Sequence, residues 1–347
     1  MAGGRGLPRG PFRSPGKAHM SRFVQKKKVE SLPRLPLKGT LDLTYRCNND
    51  CRHCWLRLPP GAAEARAELT VGEIGRLVEE ARTMGCREWL LSGGEPMLRP
   101  DFPDIFETVA ARSAWYTLNT NGTMITPPIA RLLRRPGTKL VALYGASAAV
   151  HDAVTRNPGS FEALERGLAY LREAGAAFTV QVVPMTTNIH EYEAMVRLAE
   201  TWSPSWRLGA TWLYLSACGD PQRNREILRQ RLHPSEVLEM DKPDLFSENS
   251  LEKGEALSCP HAGDDGRLFA SCIGSRRDFH IDPYGRMSFC SLIQDPALRY
   301  DLKRGSLQHG WDVFIPSLVE QVTGGKEYEE NCGSCGFRED CLWCPVY

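Results

Sequence analysis

The chain has 347 residues, and its 43 lysines and arginines almost balance its 42 aspartates and glutamates. This length suits about two domains with a large core, and the balanced charge gives no field that would select nucleic acid or an anionic membrane. The sequence shows neither an apolar run near the ~20 residues of a membrane span nor a signal peptide, so we expect a cytoplasmic protein.

The twelve cysteines are distributed unevenly along the chain. Three fall within residues 47–54 and seven within residues 259–344, and the two between these groups are Cys86 and Cys218. In a cytoplasmic protein, so many cysteines favour metal binding over disulfides. We therefore expect two functional parts, one for each group.

Residues 1–36 are rich in Gly, Pro and Arg/Lys and predict a disordered basic extension. Alternating strand and helix patterns follow this extension. The predicted strands are residues 40–44, 89–91, 115–118, 140–144, 178–183 and 212–215. The intervening helices carry start signals at the capping box Thr70-Val-Gly-Glu73, Asp101, Thr126-Pro127, Ser160 and Asn188. Six such units predict a parallel sheet with helices outside, and six rather than eight predict a partial barrel.

The first cysteine group directly follows the first predicted strand and reads Cys47-Asn48-Asn49-Asp50-Cys51-Arg52-His53-Cys54. It lacks the two spaced thiolate pairs of a zinc ribbon, whereas thiolates at this density suit an iron–sulfur cluster. A four-iron cluster takes one protein ligand per iron, so three thiolates leave one iron open. The alternative is three unrelated cysteines, or a disulfide with a spare thiol.

This CxxxCxxC motif, with His53 before its last cysteine, resembles the signature of the radical S-adenosylmethionine (SAM) enzymes. The resemblance implies that Cys47, Cys51 and Cys54 hold a [4Fe–4S] cluster whose open iron chelates SAM, with His53 against the adenine. It also implies that an external flavodoxin- or ferredoxin-type reductant supplies an electron. SAM is then cleaved to a 5′-deoxyadenosyl radical, which abstracts a hydrogen atom from the substrate.

Parallel barrels place their chemistry at the carboxyl ends of the strands, and polar segments follow several predicted strands here. The turn Ser92-Gly-Gly-Glu-Pro96 resembles the family motif that holds the SAM amino group. Contacts with SAM are therefore expected from Gly93, Gly94, Glu95, Asn119, Asn121, Ser147 and Asn188. The alternative roles are an ordinary turn for the glycines and turn or helix caps for the asparagines.

Two further residues are candidates for catalysis. His151 lies in a segment, residues 145–161, that resembles one in radical SAM peptide maturases, and it can contact substrate or act as an acid or base; the alternative is a solvated surface histidine. Cys218 follows the sixth predicted strand, where a thiol can return a hydrogen atom to a substrate radical, as an epimerase requires. The alternative for Cys218 is a structural cysteine, and Cys86 is expected to be buried and inert.

The second cysteine group lies around a predicted hairpin with the turn Asp282-Pro-Tyr-Gly285. From the residues alone, the late cysteines suit zinc or a four-iron cluster. The whole pattern resembles the SPASM extension of radical SAM enzymes, which implies one or two auxiliary iron–sulfur clusters. The implied ligands are Cys272, Cys290, Cys344 and Cys259 for the first and Cys332, Cys335 and Cys341 for the second.

The sequence departs from the SPASM pattern in two places. Two residues rather than three separate the last cysteine pair, and the final downstream cysteine of the family is absent. The fourth ligand of the second auxiliary cluster therefore stays open. Between the two cysteine groups, residues 221–257 are charged and predict a helical linker, whose arginines are interpreted as a solvated helix face.

The sequence thus predicts an α/β protein. Residues 37–220 form a partial (β/α)6 radical SAM barrel, residues 221–257 a linker, and residues 258–347 a small Cys-rich Fe–S domain with a β-hairpin. By resemblance, the substrate is a ribosomally synthesised precursor peptide that undergoes crosslinking, thioether formation or epimerisation. The alternatives are a radical SAM enzyme acting on a small molecule, such as a tetrapyrrole or sugar, and a non-catalytic zinc-stabilised binding protein.

Overall fold

A nine-stranded sheet runs through the part of the chain that the computed structural model describes. That part is residues 34–56, 58, 61–209, 213–215, 219–240, 268–322, 324–330 and 334, all in one compact unit that begins at Arg34. The strands are β1 (Lys38–Thr44), β2 (Glu88–Gly93), β3 (Trp115–Thr120), β4 (Thr138–Leu143), β5 (Thr179–Val182), β6 (Trp206–Leu208), β7 (Asp278–Ile281), β8 (Arg286–Ser288) and β9 (Tyr300–Asp301).

The strand order is β6-β5-β4-β3-β2-β1-β7-β8-β9. Strands β1 to β6 pair in parallel, with Leu41 opposite Leu91 in the β1–β2 ladder, which confirms the predicted parallel sheet. Strand β7 pairs in parallel with β1, whereas β7–β8 and β8–β9 are antiparallel. The predicted hairpin therefore extends the barrel sheet beyond β1.

Helices separate the parallel strands along the chain. They are α1 (Val71–Thr83), α2 (Phe102–Ala110), α3 (Pro127–Leu132), α4 (Ala148–Thr155), α5 (Ser160–Glu173), α6 (Tyr192–Trp202), α7 (Pro221–Gln230), α8 (Pro234–Met240), α9 (Ala270–Ser275), α10 (Leu307–His309), α11 (Ile315–Gln321) and α12 (Lys326–Tyr328). Short 3-10 turns occur at Ala63–Ala67, Pro96–Leu98, Ile189–Glu191 and Pro296–Leu298, and Gly310–Phe314 is a π-helix. Within the described ranges, no helix has the length and apolar character needed to cross a bilayer.

Helix α1 illustrates how the sequence determines the packing. The predicted capping box is confirmed, because the Glu73 carboxylate accepts from the Thr70 backbone N–H at 2.8 Å and the Glu73 N–H donates to Thr70 Oγ1 at 3.3 Å. Its buried face consists of Ile74, Leu77, Val78 and Ala81, spaced as expected for one side of a helix. This face joins a large core that includes Leu41 and Trp89.

The prediction for the sixth strand was wrong. Strand β6 lies at Trp206–Leu208 and pairs with β5, whereas the predicted run at 212–215 is not a strand over its described residues, 213–215. The carbonyl of Leu213 instead accepts hydrogen bonds from the Arg231 guanidinium at 2.6 and 2.9 Å. The Leu213 side chain packs in a small second cluster with Ile227 of α7. Tertiary contacts thus outweigh the β-propensity of this run.

Three of the predicted helix caps differ in detail. Asp101 precedes α2 but does not cap it, because its carboxylate pairs with Arg99 at 2.6 Å. Helix α5 starts at Ser160 and its first N–H groups are satisfied by the Asp152 carboxylate, which accepts from the Phe161 N–H at 2.9 Å. Asn188 precedes a 3-10 turn, and α6 begins only at Tyr192.

Candidate functional site

The first cysteine group forms a loop directly after β1, at the carboxyl edge of the sheet. Its backbone is fastened to the C-terminal turn of α4, since the Asp50 N–H donates to the Thr155 carbonyl at 2.8 Å and the Arg52 N–H to the Val154 carbonyl at 3.0 Å. On the other side, the Cys47 N–H donates to the Leu58 carbonyl at 3.0 Å. The loop is thus held by the protein's own backbone.

The three thiols of this loop form no disulfide, and Cys51 is the most buried of them. Burial raises the pKa of Cys47 to about 12, with a further contribution from the Glu95 carboxyl, and it also raises the pKa of Cys51 and Cys54. Metal ligation requires thiolates. The site therefore needs positive charge to offset the desolvation of its ligands.

The turn after β2 contacts the backbone just before Cys47. Gly93 has φ of +120°, and a Cβ there would lie 2.2 Å from the Thr44 carbonyl oxygen; a Cβ on Gly94 would lie 2.1 Å from the Arg46 carbonyl oxygen. The Gly94 N–H donates to the Thr44 carbonyl at 2.7 Å. Both glycines are therefore required by this close approach, and their contacts with SAM stay a prediction.

The Glu95 carboxylate was expected to meet an ammonium group, but the chain itself supplies its partners. Glu95 is 0% exposed, and it accepts from the Asn121 N–H at 2.9 Å, the Met97 N–H at 3.2 Å and the Thr120 hydroxyl at 3.0 Å. Burial raises the pKa of Glu95 to about 7. In this structure Glu95 ties the turn after β2 to the end of β3.

The two asparagines after β3 differ in their surroundings. Asn121 donates to Asn48 Oδ1 at 2.9 Å and lies 3.7 Å from the Cys47 sulfur, so it contacts the cysteine loop directly. Asn119 donates to the Ser92 hydroxyl at 3.3 Å, and its Oδ1 is buried without a hydrogen-bond partner among the described residues. A buried acceptor of this kind suits a donor group on a ligand.

His53 faces the end of β4. Its ring centroid lies 4.8 Å from that of Tyr144, and its Nδ1 is buried without a hydrogen-bond partner in the described part of the chain. Burial lowers the pKa of His53 to about 4, so the imidazole is neutral near pH 7. A neutral ring with an unsatisfied nitrogen is suited to lie beside a nucleobase, and the contact of His53 with the adenine stays a prediction.

Ser147 and Asn188 have structural partners that account for them. Ser147 caps α4 and donates to Glu191 Oε1 at 2.6 Å. Asn188 is 0% exposed; its amide donates to the Tyr144 and Val183 carbonyls, both at 2.9 Å, and accepts from the Met185 N–H at 2.7 Å. The Asn188 amide therefore ties together the ends of β4 and β5, and a contact with SAM would cost it these bonds.

His151 is not a surface histidine, so that alternative was wrong. It is 1% exposed, its ring lies between those of Tyr144 and Phe161 at 5.6 and 5.5 Å, and its Nδ1 accepts from the Tyr144 N–H at 3.4 Å. Burial lowers its pKa to about 4. This packing favours a structural role, and the acid/base role stays a prediction. Cys218 lies outside the described residues, and Cys86 is buried as expected.

Comparison with known proteins decides the family. Residues 41–199, from β1 to α6, match the model of the radical SAM superfamily. These residues form a radical SAM domain. A radical SAM domain implies a [4Fe–4S] cluster and SAM as cofactors.

Similar proteins span most of this radical SAM chain. The AdoMet-dependent heme synthase of Methanosarcina barkeri is 25% identical over 324 residues, covering 87% of this chain and 89% of that protein. The mycofactocin maturase MftC of Mycobacterium tuberculosis is 29% identical over 318 residues, covering 88% and 77%. Streptococcus suis SuiB, solved with S-adenosylmethionine, has a TM-score of 0.59 at 15% identity over 90% of this chain and 72% of that one, which shows a shared fold.

The geometry fits these radical SAM cofactors. Within the described ranges, no three Cys, His, Asp or Glu side chains form a site for a single metal ion. A [4Fe–4S] cluster instead takes separate thiolates on separate irons, which matches three cysteines spread along one loop. The unsatisfied Asn119 Oδ1 and His53 Nδ1 lie at the same edge of the sheet and are suited to contacts with SAM.

The second cysteine group is described only in part. Cys272 lies in α9 and Cys290 is the second residue after β8, and both pack against the main core. The predicted hairpin turn is confirmed, with Gly285 at φ of +84°. The other predicted ligands, Cys259, Cys332, Cys335, Cys341 and Cys344, lie outside the described residues, so the auxiliary clusters stay a prediction.

One residue near the radical SAM loop was misinterpreted from sequence. Arg223 was included in a solvated helix face, yet it is 8% exposed and its guanidinium lies 3.8 Å from the carboxylate of Asp50 in the cysteine loop. Arg223 and Ile227 are four residues apart and therefore share one face of α7. Ile227 is buried at 0% exposure, so its spacing from Arg223 could have predicted that Arg223 is buried as well.

Proposed function

We propose that this radical SAM enzyme modifies a ribosomally synthesised precursor peptide by hydrogen-atom abstraction. The observation that supports its chemistry is the cysteine loop after β1, which contacts Asn121 and directly follows the backbone that the Gly93–Gly94 turn packs against. Three neighbouring strand ends thus supply the thiols, a closely packed turn and polar groups.

In this proposal each residue has a limited task. Cys47, Cys51 and Cys54 hold the cluster, which supplies the electron that cleaves SAM. Asn121 orients Asn48 and Cys47 through its amide. His53 stays neutral at physiological pH because of its burial. The Asn119 carbonyl group accepts from SAM.

The mycofactocin maturase supports a peptide substrate. Its similarity extends over 88% of this chain and therefore past the barrel into the second cysteine group. The described residues of that group lie next to the barrel, since β7, which precedes Cys290, pairs with β1. In our proposal the second group binds auxiliary iron–sulfur clusters close to the site where a peptide would react.

A tetrapyrrole is the second candidate substrate. The M. barkeri heme synthase supports it, because this chain covers 89% of that protein and only 77% of the mycofactocin maturase. The two candidates share the first step, the cleavage of SAM. They differ in the substrate, a peptide or a tetrapyrrole, that would bind at the carboxyl edge of the sheet near His53.

The test incubates anaerobically purified, reduced protein with SAM and either short peptides encoded next to its gene or a reduced tetrapyrrole. We expect a peptide to lose the mass of hydrogen atoms on crosslinking, or to gain deuterium from D₂O on epimerisation. The Cys51→Ala variant is the control and should leave the peptide unchanged. Consumption of the tetrapyrrole with intact peptides would instead support the second candidate.

A further inference from the structure

Helix α7 is fastened to the cysteine loop by charged side chains. Arg223 lies 3.8 Å from the Asp50 carboxylate and 3.5 Å from that of Glu226. Glu226 also pairs with Arg52 of the loop at 3.5 Å and with Arg156, the residue that ends α4. Arg156 in turn lies 3.5 Å from Asp50. The loop, α4 and α7 therefore meet in one ionic cluster.

Arg223 is the buried member of this ionic cluster. Its side chain is 8% exposed, and its Nη2 atom is buried without a hydrogen-bond partner among the described residues. The carboxylates at 3.5 and 3.8 Å are beyond ordinary charge-assisted hydrogen-bond length. Burying a guanidinium is costly unless nearby negative charge compensates for it. The Asp50 and Glu226 carboxylates, whose side chains are partly solvated, account for only part of that compensation.

Cys51 directly follows Asp50 in the loop, so the Arg223 guanidinium, 3.8 Å from the Asp50 carboxylate, lies next to the segment that carries the Cys51 and Cys54 thiols. As metal ligands both would be thiolates, and burial desolvates both of them. The reduction potential of an iron–sulfur cluster depends on its net charge and on the charges and hydrogen bonds around its sulfurs. A fixed positive charge therefore favours the reduced, more negative cluster.

We propose that Arg223 is a positioning residue whose buried charge stabilises the Cys51 and Cys54 thiolates and raises the reduction potential of the cluster. The proposal rests on the assignment of the cluster to Cys47, Cys51 and Cys54 and is independent of the substrate. Helix α7, which the sequence predicted as part of a linker, would then directly influence the reduction potential of the cluster.

The experiment compares Arg223→Gln, Arg223→Lys and the control Arg225→Gln, since Arg225 is an exposed arginine on the same helix. Each full-length protein is reconstituted anaerobically, its iron and sulfide are measured, and the EPR signal that responds to SAM is followed in a redox titration. We expect Arg223→Gln to lower the equilibrium constant for one-electron reduction about tenfold, a shift of about 59 mV to more negative potential. Arg223→Lys and Arg225→Gln should stay near the wild-type potential.

Two further outcomes complete the test. If folded Arg223→Gln protein holds little iron while Arg223→Lys holds the full amount, the charge is needed for the thiolates and the proposal is supported. A wild-type potential in Arg223→Gln with full iron overturns it, as does equal loss of iron in both variants. If the wild-type protein takes up no SAM-responsive cluster, the cluster assignment fails together with this proposal.

Discussion

Asp42 of β1 and His280 of β7 form a buried pair, with Oδ2 2.9 Å from Nε2 and exposures of 4% and 2%. The Ser288 hydroxyl lies 3.4 Å from the other ring nitrogen of His280 and donates to the Cys290 carbonyl at 2.8 Å. These contacts connect the strand that leads into the first cysteine group with the backbone of Cys290. They fix the hairpin against the barrel sheet.

Removal of the Asp42 carboxylate should destabilise the fold. Asp42→Ala leaves the His280 nitrogen buried without its partner, which costs about 1–3 kcal/mol, and Asp42→Asn should cost less because it keeps an acceptor. The measurement is the urea midpoint at unchanged slope. The control is Glu193→Ala, since Glu193 forms an exposed pair with Arg197 and should contribute little. A wild-type midpoint for Asp42→Ala would show that the pair does not hold the hairpin.

The three loop cysteines should each be required for the first cluster. We expect Cys47→Ala, Cys51→Ala and Cys54→Ala to lose the iron of that cluster and its SAM-responsive EPR signal, since each removes one of three protein ligands. Cys86→Ala is the matched control: Cys86 is 1% exposed and lies before β2, outside the cysteine loop, so this variant should keep the iron. Full iron in all three loop variants would contradict the assignment.

Gly94→Ala should disrupt the turn after β2. The added Cβ would lie 2.1 Å from the Arg46 carbonyl oxygen, so the turn and the Arg46 backbone, which directly precedes Cys47, have to move apart. We expect at least a tenfold weaker SAM affinity, measured by equilibrium dialysis. Gly72→Ala, in α1 with open space around the added Cβ, is the control and should bind SAM normally, with a gain of up to about 1 kcal/mol in helix stability. Equal affinities would show that the turn tolerates displacement.

Protonation of His151 should make stability depend on pH. Burial lowers its pKa to about 4, below the value of about 6.5 expected in the unfolded chain. Between these values the unfolded state binds the proton and the folded state does not, so stability falls as pH drops from 7 to 4, by up to about 3 kcal/mol.

The His151 contribution is isolated by comparing variants in urea unfolding at a series of pH values. His151→Gln should have a shallower pH dependence than wild type, whereas His233→Gln, which alters an exposed histidine, should keep it. Parallel curves for all three proteins would contradict the assigned burial effect.

Local patterns were sufficient to predict much of this fold. The capping box at Thr70, the buried stripe of α1 and the turn ending at Gly285 each depend on a few neighbouring residues, and all three are confirmed. The parallel sheet followed from the repetition of such units. The cysteine spacing indicated the family before any contact was known, since ligand spacing is itself local.

The errors arose where long-range contacts decide the outcome. The apolar run that ends at Leu215 looked more like a strand than Trp206–Leu208, but the guanidinium of Arg231, the residue after α7, donates to the Leu213 carbonyl. Arg223 looked solvated because its contact with Asp50 of the cysteine loop forms only in the folded chain.

The most direct test of the central claim is the release of 5′-deoxyadenosine from SAM by anaerobically purified protein supplied with dithionite, measured by chromatography against the Cys51→Ala variant. The account predicts 5′-deoxyadenosine from the wild-type protein and none above background from the variant. No release from wild-type protein that carries a full complement of iron, or equal release from the variant, would contradict it.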